Sequence, residues 1–220
     1  MTKSTSTSKE KTGWRIVVAG TGGQGVITAA RLLTNFFAQR GNQVLSGQLH
    51  GMAQRGGAVQ ASVMIDAGIS PVIPRGRADC VIGLEPVETV RALPYMSENT
   101  IVFMNTTKVV PFVLAQMTVR GSPDGSYPEQ DNLEKSILEV TPKLHTFDAT
   151  ELARNAGQIK TLNIVMVGCL FGSGILPAAP EEFADTVMST VPSKLAEVNN
   201  RAFSAGVEYG REICKLEEAH

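Results

Sequence analysis

Residues 14–40 read WRIVVAGTGGQGVITAARLLTNFFAQR, and the rest of the chain is organised around them. The run from Trp14 to Ala19 is rich in β-branched residues and predicts a buried strand. A glycine-rich turn follows it, and from Val26 onward the apolar residues recur with helical spacing. Gly41 then supplies a residue that commonly ends helices. The sequence therefore predicts a strand, a glycine turn and a helix in direct succession.

The glycine turn is a candidate ligand-binding loop. A turn that joins a strand to a helix exposes backbone N–H groups at the positive end of the helix dipole, where an anion is stabilised. Its glycines satisfy the G-x-G-x-x-G pattern in the strand–turn–helix context that the pattern requires. A tight turn that binds no ligand would have the same sequence pattern. The candidate residues of this loop are Gly20, Thr21, Gly22, Gly23, Gln24 and Gly25.

The composition is that of an ordinary globular protein. The chain has 220 residues, of which 43% are hydrophobic and 19% charged, and this length suffices for one domain with a substantial core. We expect residues 1–12, rich in Ser, Thr and Lys, to form a disordered tail and residues 13–220 to form a single domain. The longest apolar run, residues 164–171, is too short to cross a bilayer, and no secretory segment is evident at the start.

The three cysteines, Cys80, Cys169 and Cys214, are scattered along the chain without a CxxC pair. No Cys–His cluster has metal-ligand spacing, so we predict no metal site. Three cysteines also cannot supply the usual four ligands of an iron–sulfur cluster. This cysteine usage fits a reducing, cytoplasmic location.

Charge is unevenly distributed although the net charge is only −1. Residues 12–80 contain six arginines against Asp66 and Asp79, an excess of +4 in the part that holds the glycine loop. This imbalance favours an anionic ligand. No long basic tract with interleaved aromatic residues is present, so a nucleic-acid partner is not expected.

The remaining sequence alternates between strand-like and helix-like runs, which is typical of a three-layer α/β/α sandwich with a mostly parallel sheet. The further strands are predicted at residues 43–45, 59–65, 69–73, 80–84, 100–104 and 144–147. The second and third of these flank a turn and predict an antiparallel hairpin. Helices are predicted at residues 86–93, 133–140, from 149 onward, 162–172, 180–190 and from 193 to the charged end, with loops at 46–57 and 121–132.

Helix 162–172 is apolar on nearly all sides, and Gly168 and Gly172 lie four residues apart. Such a helix is either buried or packed closely against another helix or subunit. If it is an interface, the chain is open to a different interpretation, as a non-catalytic regulatory or scaffolding subunit.

An acidic residue normally follows the glycine turn of a nicotinamide-dependent dehydrogenase by about 20 positions and binds the ribose. Here no Asp or Glu occurs between Glu10 and Asp66. This absence argues against NAD and suits a ligand with a phosphorylated ribose, such as NADP or coenzyme A. A stand-alone NAD(P)-binding dehydrogenase therefore stays as an alternative that rests on the glycine loop alone.

A second polar motif, HGMAQRGG, occupies residues 50–57. In a mainly parallel sheet, the loop after the second strand lies at the same edge as the glycine turn. Arg55 is a candidate for pairing with phosphate or carboxylate, Gln54 for a further contact, and His50 for a hydrogen bond or a proton relay. An irregular turn that satisfies its own backbone is the alternative.

Glu85 follows another predicted strand, at its carboxyl end. There its side chain either faces the same edge of the sheet as the glycine turn, caps the next helix or forms a surface ion pair.

Complete catalytic sets are missing, since the chain has no G-x-S-x-G elbow, no Walker lysine and no HExxH. The sequence thus indicates part of a larger enzyme.

Residues 19–26 and 50–57 together resemble the gamma-type domain of 2-oxoacid:ferredoxin oxidoreductases, in the variety found in the beta subunit of indolepyruvate ferredoxin oxidoreductases. Residues 73–79 and the run Gly83-Leu84-Glu85-Pro86 continue the likeness, which extends from Trp14 to about Gly210. The glycine loop alone is a weak signal, but the two motifs at this spacing are specific.

The resemblance implies the small subunit of a thiamine-diphosphate-dependent enzyme. Such an enzyme oxidatively decarboxylates indolepyruvate or another aryl 2-oxoacid to an acyl-CoA and passes electrons to ferredoxin or a related acceptor. The resemblance also implies a large partner subunit that carries thiamine diphosphate and 4Fe–4S clusters, with coenzyme A as co-substrate. It carries the ligand-loop role onto Gly20 to Gly25, and the role of the second motif onto His50, Gln54 and Arg55.

Overall fold

The structure, a computed structural model, describes residues 13–50, 57–109, 127–190 and 192–218. Its strands are β1 (Trp14–Thr21), β2 (Val44–His50), β3 (Ala58–Ile65), β4 (Cys80–Gly83), β5 (Ile101–Asn105) and β6 (Leu144–Phe147). Its helices are α1 (Val26–Gln39), α2 (Pro86–Arg91), α3 (Gln130–Leu138), α4 (Ala149–Asn155), α5 (Leu162–Gly172), α6 (Pro180–Thr190) and α7 (Ser193–Glu218). Short 3-10 turns lie at Leu93–Tyr95 and Ile159–Thr161.

The strands form one sheet in the order β2-β3-β1-β4-β5-β6. Strands β1, β4, β5 and β6 are parallel to one another, whereas β3 is antiparallel to both of its neighbours, β1 and β2. Strand β2 therefore runs in the same direction as β1. The predicted α/β fold with a mostly parallel sheet is confirmed.

Helices cover the sheet on both faces, which gives the three predicted layers. Side chains of β1 alternate between the faces, as a period of two requires. Ile16 and Val18 pack in one core with apolar residues of α1, α5 and α7. Val17 and Ala19 pack in a second core with residues such as Ile137 of α3.

Helix α5 is buried inside this chain, where four glycines let it contact α7 at backbone distance. A Cβ atom added to Gly168 would lie 2.4 Å from the Phe203 carbonyl oxygen, and one added to Gly206 would lie 2.0 Å from the Val165 carbonyl oxygen. Gly172 and Gly210 make equivalent approaches. Because α7 occupies this small-residue face, the apolar helix gives no support to an interface with another subunit.

Several local predictions are confirmed. Pro86 begins α2 at its first position, and the Asp148 carboxylate caps α4 by accepting from the Glu151 N–H at 2.8 Å. Helices α1, α6 and α7 begin and end close to the predicted residues. No helix in the described ranges is long and apolar enough to cross a membrane.

The predicted return strand at residues 69–73 is wrong. Both edges of β3 are already paired with β1 and β2, and Pro71 lacks an N–H for a ladder. The segment instead crosses the face of the sheet, where the Ser62 hydroxyl donates to the Pro71 carbonyl at 2.5 Å. The antiparallel pairing that the hairpin predicted is present, but β1 and β2 provide it.

Two predicted loops have different bounds in the structure. Strand β2 continues to His50 because its whole length pairs with β3, so the loop predicted from residue 46 begins later. Helix α3 begins at Gln130, inside the loop predicted at 121–132. The predicted disordered tail at residues 1–12 lies outside the described residues.

The glycine contact between α5 and α7 yields a stability prediction. In Gly206→Ala the new methyl group must displace the Val165 backbone, and overpacking of this kind costs about 1–3 kcal/mol, partly offset by the higher helix propensity of alanine. We expect a lower urea midpoint at an unchanged m value, followed by circular dichroism. Ser204→Ala, an exposed position on the same helix, should stay within about 0.5 kcal/mol of the wild type. Equal midpoints for wild type and Gly206→Ala would contradict the close contact.

Candidate functional site

The candidate site lies where β1 and β4 end side by side. These neighbouring strands are parallel. The helix that follows β1, α1, packs on one face of the sheet, whereas the helix that follows β4, α2, packs on the other face. This is a topological switch point, and in open α/β sheets ligands bind in the crevice outside such carboxyl ends. The glycine loop follows β1 at this crevice, and Glu85 follows the end of β4.

The glycine loop has a conformation that glycine favours. Gly23 and Gly25 have φ angles of 103° and 86°, in the region that residues with a Cβ atom rarely adopt. A Cβ atom on Gly25 would lie 2.7 Å from the Asn163 amide nitrogen, whereas one on Gly23 would meet no atom within 4 Å. The Gly22 N–H is already occupied, because it donates to the Gly57 carbonyl at 2.9 Å. Gly23 is therefore the open position of the loop.

Helix α1 begins at this loop without a side-chain cap. Its N-cap residue is Gly25. No side chain of the described residues accepts a hydrogen bond from the backbone N–H groups of the first helical turn. The first N–H groups of a helix have no partner within the helix, so they are available to a ligand. A phosphate-like anion is the group that suits this combination of N–H groups and helix dipole.

Gln24 stabilises the loop from within. Its amide oxygen accepts from the Thr21 N–H at 2.8 Å and from the Thr21 hydroxyl at 3.0 Å, while its amide nitrogen donates to the Leu84 carbonyl at 2.9 Å. A Cβ atom on Gly20 would lie 2.9 Å from the Gln24 amide oxygen, so glycine is needed there for close approach. The Gln24 side chain thus connects the ends of β1 and β4.

Other polar residues that hold this edge together were missed in the sequence. The Asn105 amide donates to the Leu84 carbonyl at 3.0 Å and to the Thr150 hydroxyl at 3.1 Å. Asn163 donates to the Gly25 carbonyl at 3.3 Å from inside α5. A lone polar residue in an otherwise apolar helix, as Asn163 is, was a usable signal. No local sequence pattern predicts the hydrogen bond between Asn105 and Thr150, which are 45 positions apart.

Glu85 is a buried cap, which confirms one of its three interpretations. Its carboxylate accepts from the Glu88 N–H at 3.0 Å, from the Val109 N–H at 3.3 Å and, at very short range, from the Tyr127 hydroxyl. Only 1% of Glu85 is exposed, which excludes a surface ion pair. Burial and the adjacent Glu85 carboxylate raise the pKa of Tyr127, so the phenol stays protonated and acts as a donor.

A small cavity of about 210 Å³ lies beside the ends of β1 and β3. Glu88 and Arg91 line one side of it, and their side chains pair at 3.3 Å. Burial raises the pKa of the Glu88 carboxyl, and the Arg91 charge opposes that shift. The ion pair is satisfied within α2.

The second motif starts at the same edge as the glycine loop. Gly20 of β1 and His50 of β2 both pair with Val59 of β3, so the two strands reach this edge in the same row. This agrees with the expectation that the two loops share an edge. Gln54 and Arg55 lie outside the described residues, as does the side chain of His50.

Four of the arginines in residues 12–80 lie away from the loop in the part of the chain that the structure describes. Arg15 pairs with Asp79 at 3.6 Å near the opposite end of β1, and Arg40 pairs with Glu182. Arg75 and Arg77 lie in the segment that leads into the amino end of β4. Among the described residues, backbone N–H groups rather than these cations make the loop attractive to an anion.

The side chains of two of the three cysteines are described, and both are buried. Cys80 is buried in β4 and Cys169 in α5, where burial raises the pKa of the Cys169 thiol. Within the described residues, no three His, Cys, Asp or Glu side chains form a group that could hold a metal ion.

Two relatives match nearly the whole chain. An Archaeoglobus fulgidus protein named indolepyruvate oxidoreductase subunit IorB is 36% identical over 191 residues, which are 87% of this chain and 92% of the relative. A Thermococcus kodakarensis protein of the same name is 35% identical over 205 residues, or 92% of this chain and 98% of the relative.

Solved structures share the fold. The gamma subunit of a keto/oxoacid ferredoxin oxidoreductase from Geobacter sulfurreducens has a TM-score of 0.64 at 21% identity. The match covers 90% of this chain and 99% of the gamma subunit. A 2-oxoglutarate:ferredoxin oxidoreductase from Magnetococcus marinus, whose structure has 2-oxoglutarate, coenzyme A and succinyl-CoA bound, has a TM-score of 0.66 at 16% identity. There the likeness covers 94% of this chain but 32% of the longer one.

The family assignment follows from the chain as a whole. The family model for pyruvate ferredoxin/flavodoxin oxidoreductase matches residues 15–209, which include both glycine motifs and all six strands except the first residue of β1. This chain belongs to the pyruvate ferredoxin/flavodoxin oxidoreductase family.

Proposed function

We propose that this chain is the small subunit of a thiamine-diphosphate-dependent indolepyruvate oxidoreductase. The complex would convert indolepyruvate or another aryl 2-oxoacid to an acyl-CoA and pass the electrons to ferredoxin or a related acceptor, in the cytoplasm. The observation that carries the proposal is the match over nearly the full length to two IorB subunits at 36% and 35% identity. The glycine loop lies at the switch point between β1 and β4, where such a subunit would contribute to ligand binding.

The remaining cofactors are assigned to a larger partner subunit. A 4Fe–4S cluster needs four cysteine ligands, and this chain has three cysteines. The Magnetococcus marinus chain is about three times as long as the part that this chain matches. We therefore place thiamine diphosphate and the iron–sulfur clusters on the large partner subunit of the complex.

Coenzyme A fits the glycine loop. Its phosphates are anions suited to the uncapped N–H groups of α1, and Gly23 leaves open space beside them. No carboxylate between Glu10 and Asp66 repels the phosphorylated ribose. In this proposal the loop binds and orients the phosphates, and Gln24 keeps the loop in place through its bonds to Thr21 and Leu84.

Co-expression tests the assignment directly. The chain is produced with an affinity tag together with the large indolepyruvate oxidoreductase subunit of its source genome, under anaerobic conditions. We expect a stable complex that contains bound thiamine, shows iron–sulfur absorbance and reduces ferredoxin in the presence of indolepyruvate and coenzyme A. A chain that purifies alone and turns over a substrate by itself contradicts the proposal.

A charge introduced at Gly23 tests the anion site. Gly23→Asp and Gly23→Asn place side chains of the same shape at the same φ of 103°, so the two variants differ mainly in charge. At an effective dielectric of about 20, the added carboxylate should raise the coenzyme A KM of the complex by about tenfold or more. Gly23→Asn should change it much less.

The salt dependence of the same pair provides the control. Added salt screens the carboxylate, so the difference in KM between Gly23→Asp and Gly23→Asn should shrink as ionic strength rises. Equal KM values for the two variants at low salt would place the phosphates elsewhere.

A further inference from the structure

In the described ranges, one part of the sheet has no helix over it. On the face that carries α2 and α3, these helices pack over β1, β4, β5 and β6. Over β2 and β3 the structure has the irregular segment 69–74 instead. This segment is held by the bond from Ser62 to the Pro71 carbonyl, and Gly47 leaves room for the Pro71 ring at 3.2 Å from its added Cβ position.

A groove of about 270 Å³ opens between this segment and the sheet. Its lining is mostly apolar and includes Leu49, Gln60, Pro71, Val72, Ile73 and Tyr95. Leu49 is 62% exposed and Val72 is 70% exposed, although both are large hydrophobic residues. Single exposed hydrophobic residues are ordinary, but a concave group of them marks an interaction site.

The groove adjoins an unprotected sheet edge. Strand β2 is the last strand on its side, and no described strand pairs with its outer edge. Its seven residues, VLSGQLH, contain no proline and no Lys, Arg, Asp or Glu. Proteins usually protect such edges with charges, proline or a cover, because free N–H and C=O groups pair with other chains.

Two arginines follow the groove-lining Ile73 within four residues, and they indicate what kind of partner fits. Arg75 and Arg77 are exposed, and no carboxylate in the described ranges forms an ion pair with either of them. A second copy of this chain, docked by two-fold symmetry, would bring the same patch and its arginines against themselves. A different chain that presents carboxylates is favoured.

We propose that this groove and the β2 edge form the docking surface for the larger subunit of the complex. An extended segment of that subunit lies along β2, inserts an apolar side chain between Leu49 and Val72, and presents carboxylates to Arg75 and Arg77. The identity of this occupant rests on the proposed function, since it takes the partner to be the large oxidoreductase subunit.

Variants of the 220-residue chain, mixed with the separately purified large subunit, test this surface. Val72→Asp buries a charge in the apolar contact, and the double variant Arg75→Glu, Arg77→Glu reverses the charge beside it. We expect each to weaken the complex at least tenfold in titrations of purified subunits. The matched controls, Ile159→Asp and Arg31→Glu, alter an exposed hydrophobic residue and an exposed arginine away from the groove and should assemble normally.

Hydrogen exchange of the wild-type chain provides a readout that does not depend on any variant. Assembly should slow exchange in residues 44–49 and 70–77. If the wild-type complex forms but these residues exchange as before and the variants still assemble, the surface assignment is wrong while the proposed function stands. If the wild-type chain never binds the large subunit, the proposed function fails as well. Self-association of the chain through β2 would identify a second copy as the occupant and overturn the proposal.

Discussion

The site depends on the hydrogen bonds that the Gln24 side chain makes to Thr21 on one side and to the Leu84 carbonyl on the other. The two strands that it connects, β1 and β4, send their helices to opposite faces of the sheet, and that divergence opens the crevice. The same Leu84 carbonyl accepts from Asn105, so the end of β5 is tied to the same point. These bonds hold the glycine loop and the start of α1 in a defined position at the mouth of the crevice.

The architecture explains why the chain resembles part of an enzyme. The carboxyl edge has uncapped N–H groups at the start of α1 and a buried carboxylate, Glu85, whose oxygens cap α2 and accept from Tyr127. Neither arrangement supplies a nucleophile or a redox centre. A subunit that holds coenzyme A while a partner carries out decarboxylation and electron transfer accounts for this set of residues.

Local features could be predicted from sequence because their causes are local. The β1–turn–α1 unit, the proline at the start of α2 and the Asp148 cap each depend on residues within a few positions. Non-local features could not be predicted in this way. Residues 69–73 resemble a strand in sequence, but β3 already pairs with β1 and β2. Arg15 and Arg40 belong to the same arginine-rich stretch of sequence, yet each pairs with a carboxylate away from the loop. The bond from Tyr127 to Glu85 joins residues that are 42 positions apart, so no local pattern predicts it.

In the proposed function, the N–H groups at the start of α1 bind the phosphates of coenzyme A in the assembled enzyme. Amide hydrogen exchange of the purified complex, with and without saturating coenzyme A, measures this directly. We expect coenzyme A to slow exchange of the amides of residues 23–28 by about tenfold or more, because these N–H groups gain an anionic acceptor. Unchanged exchange at residues 23–28, in a complex shown to bind coenzyme A, would contradict it.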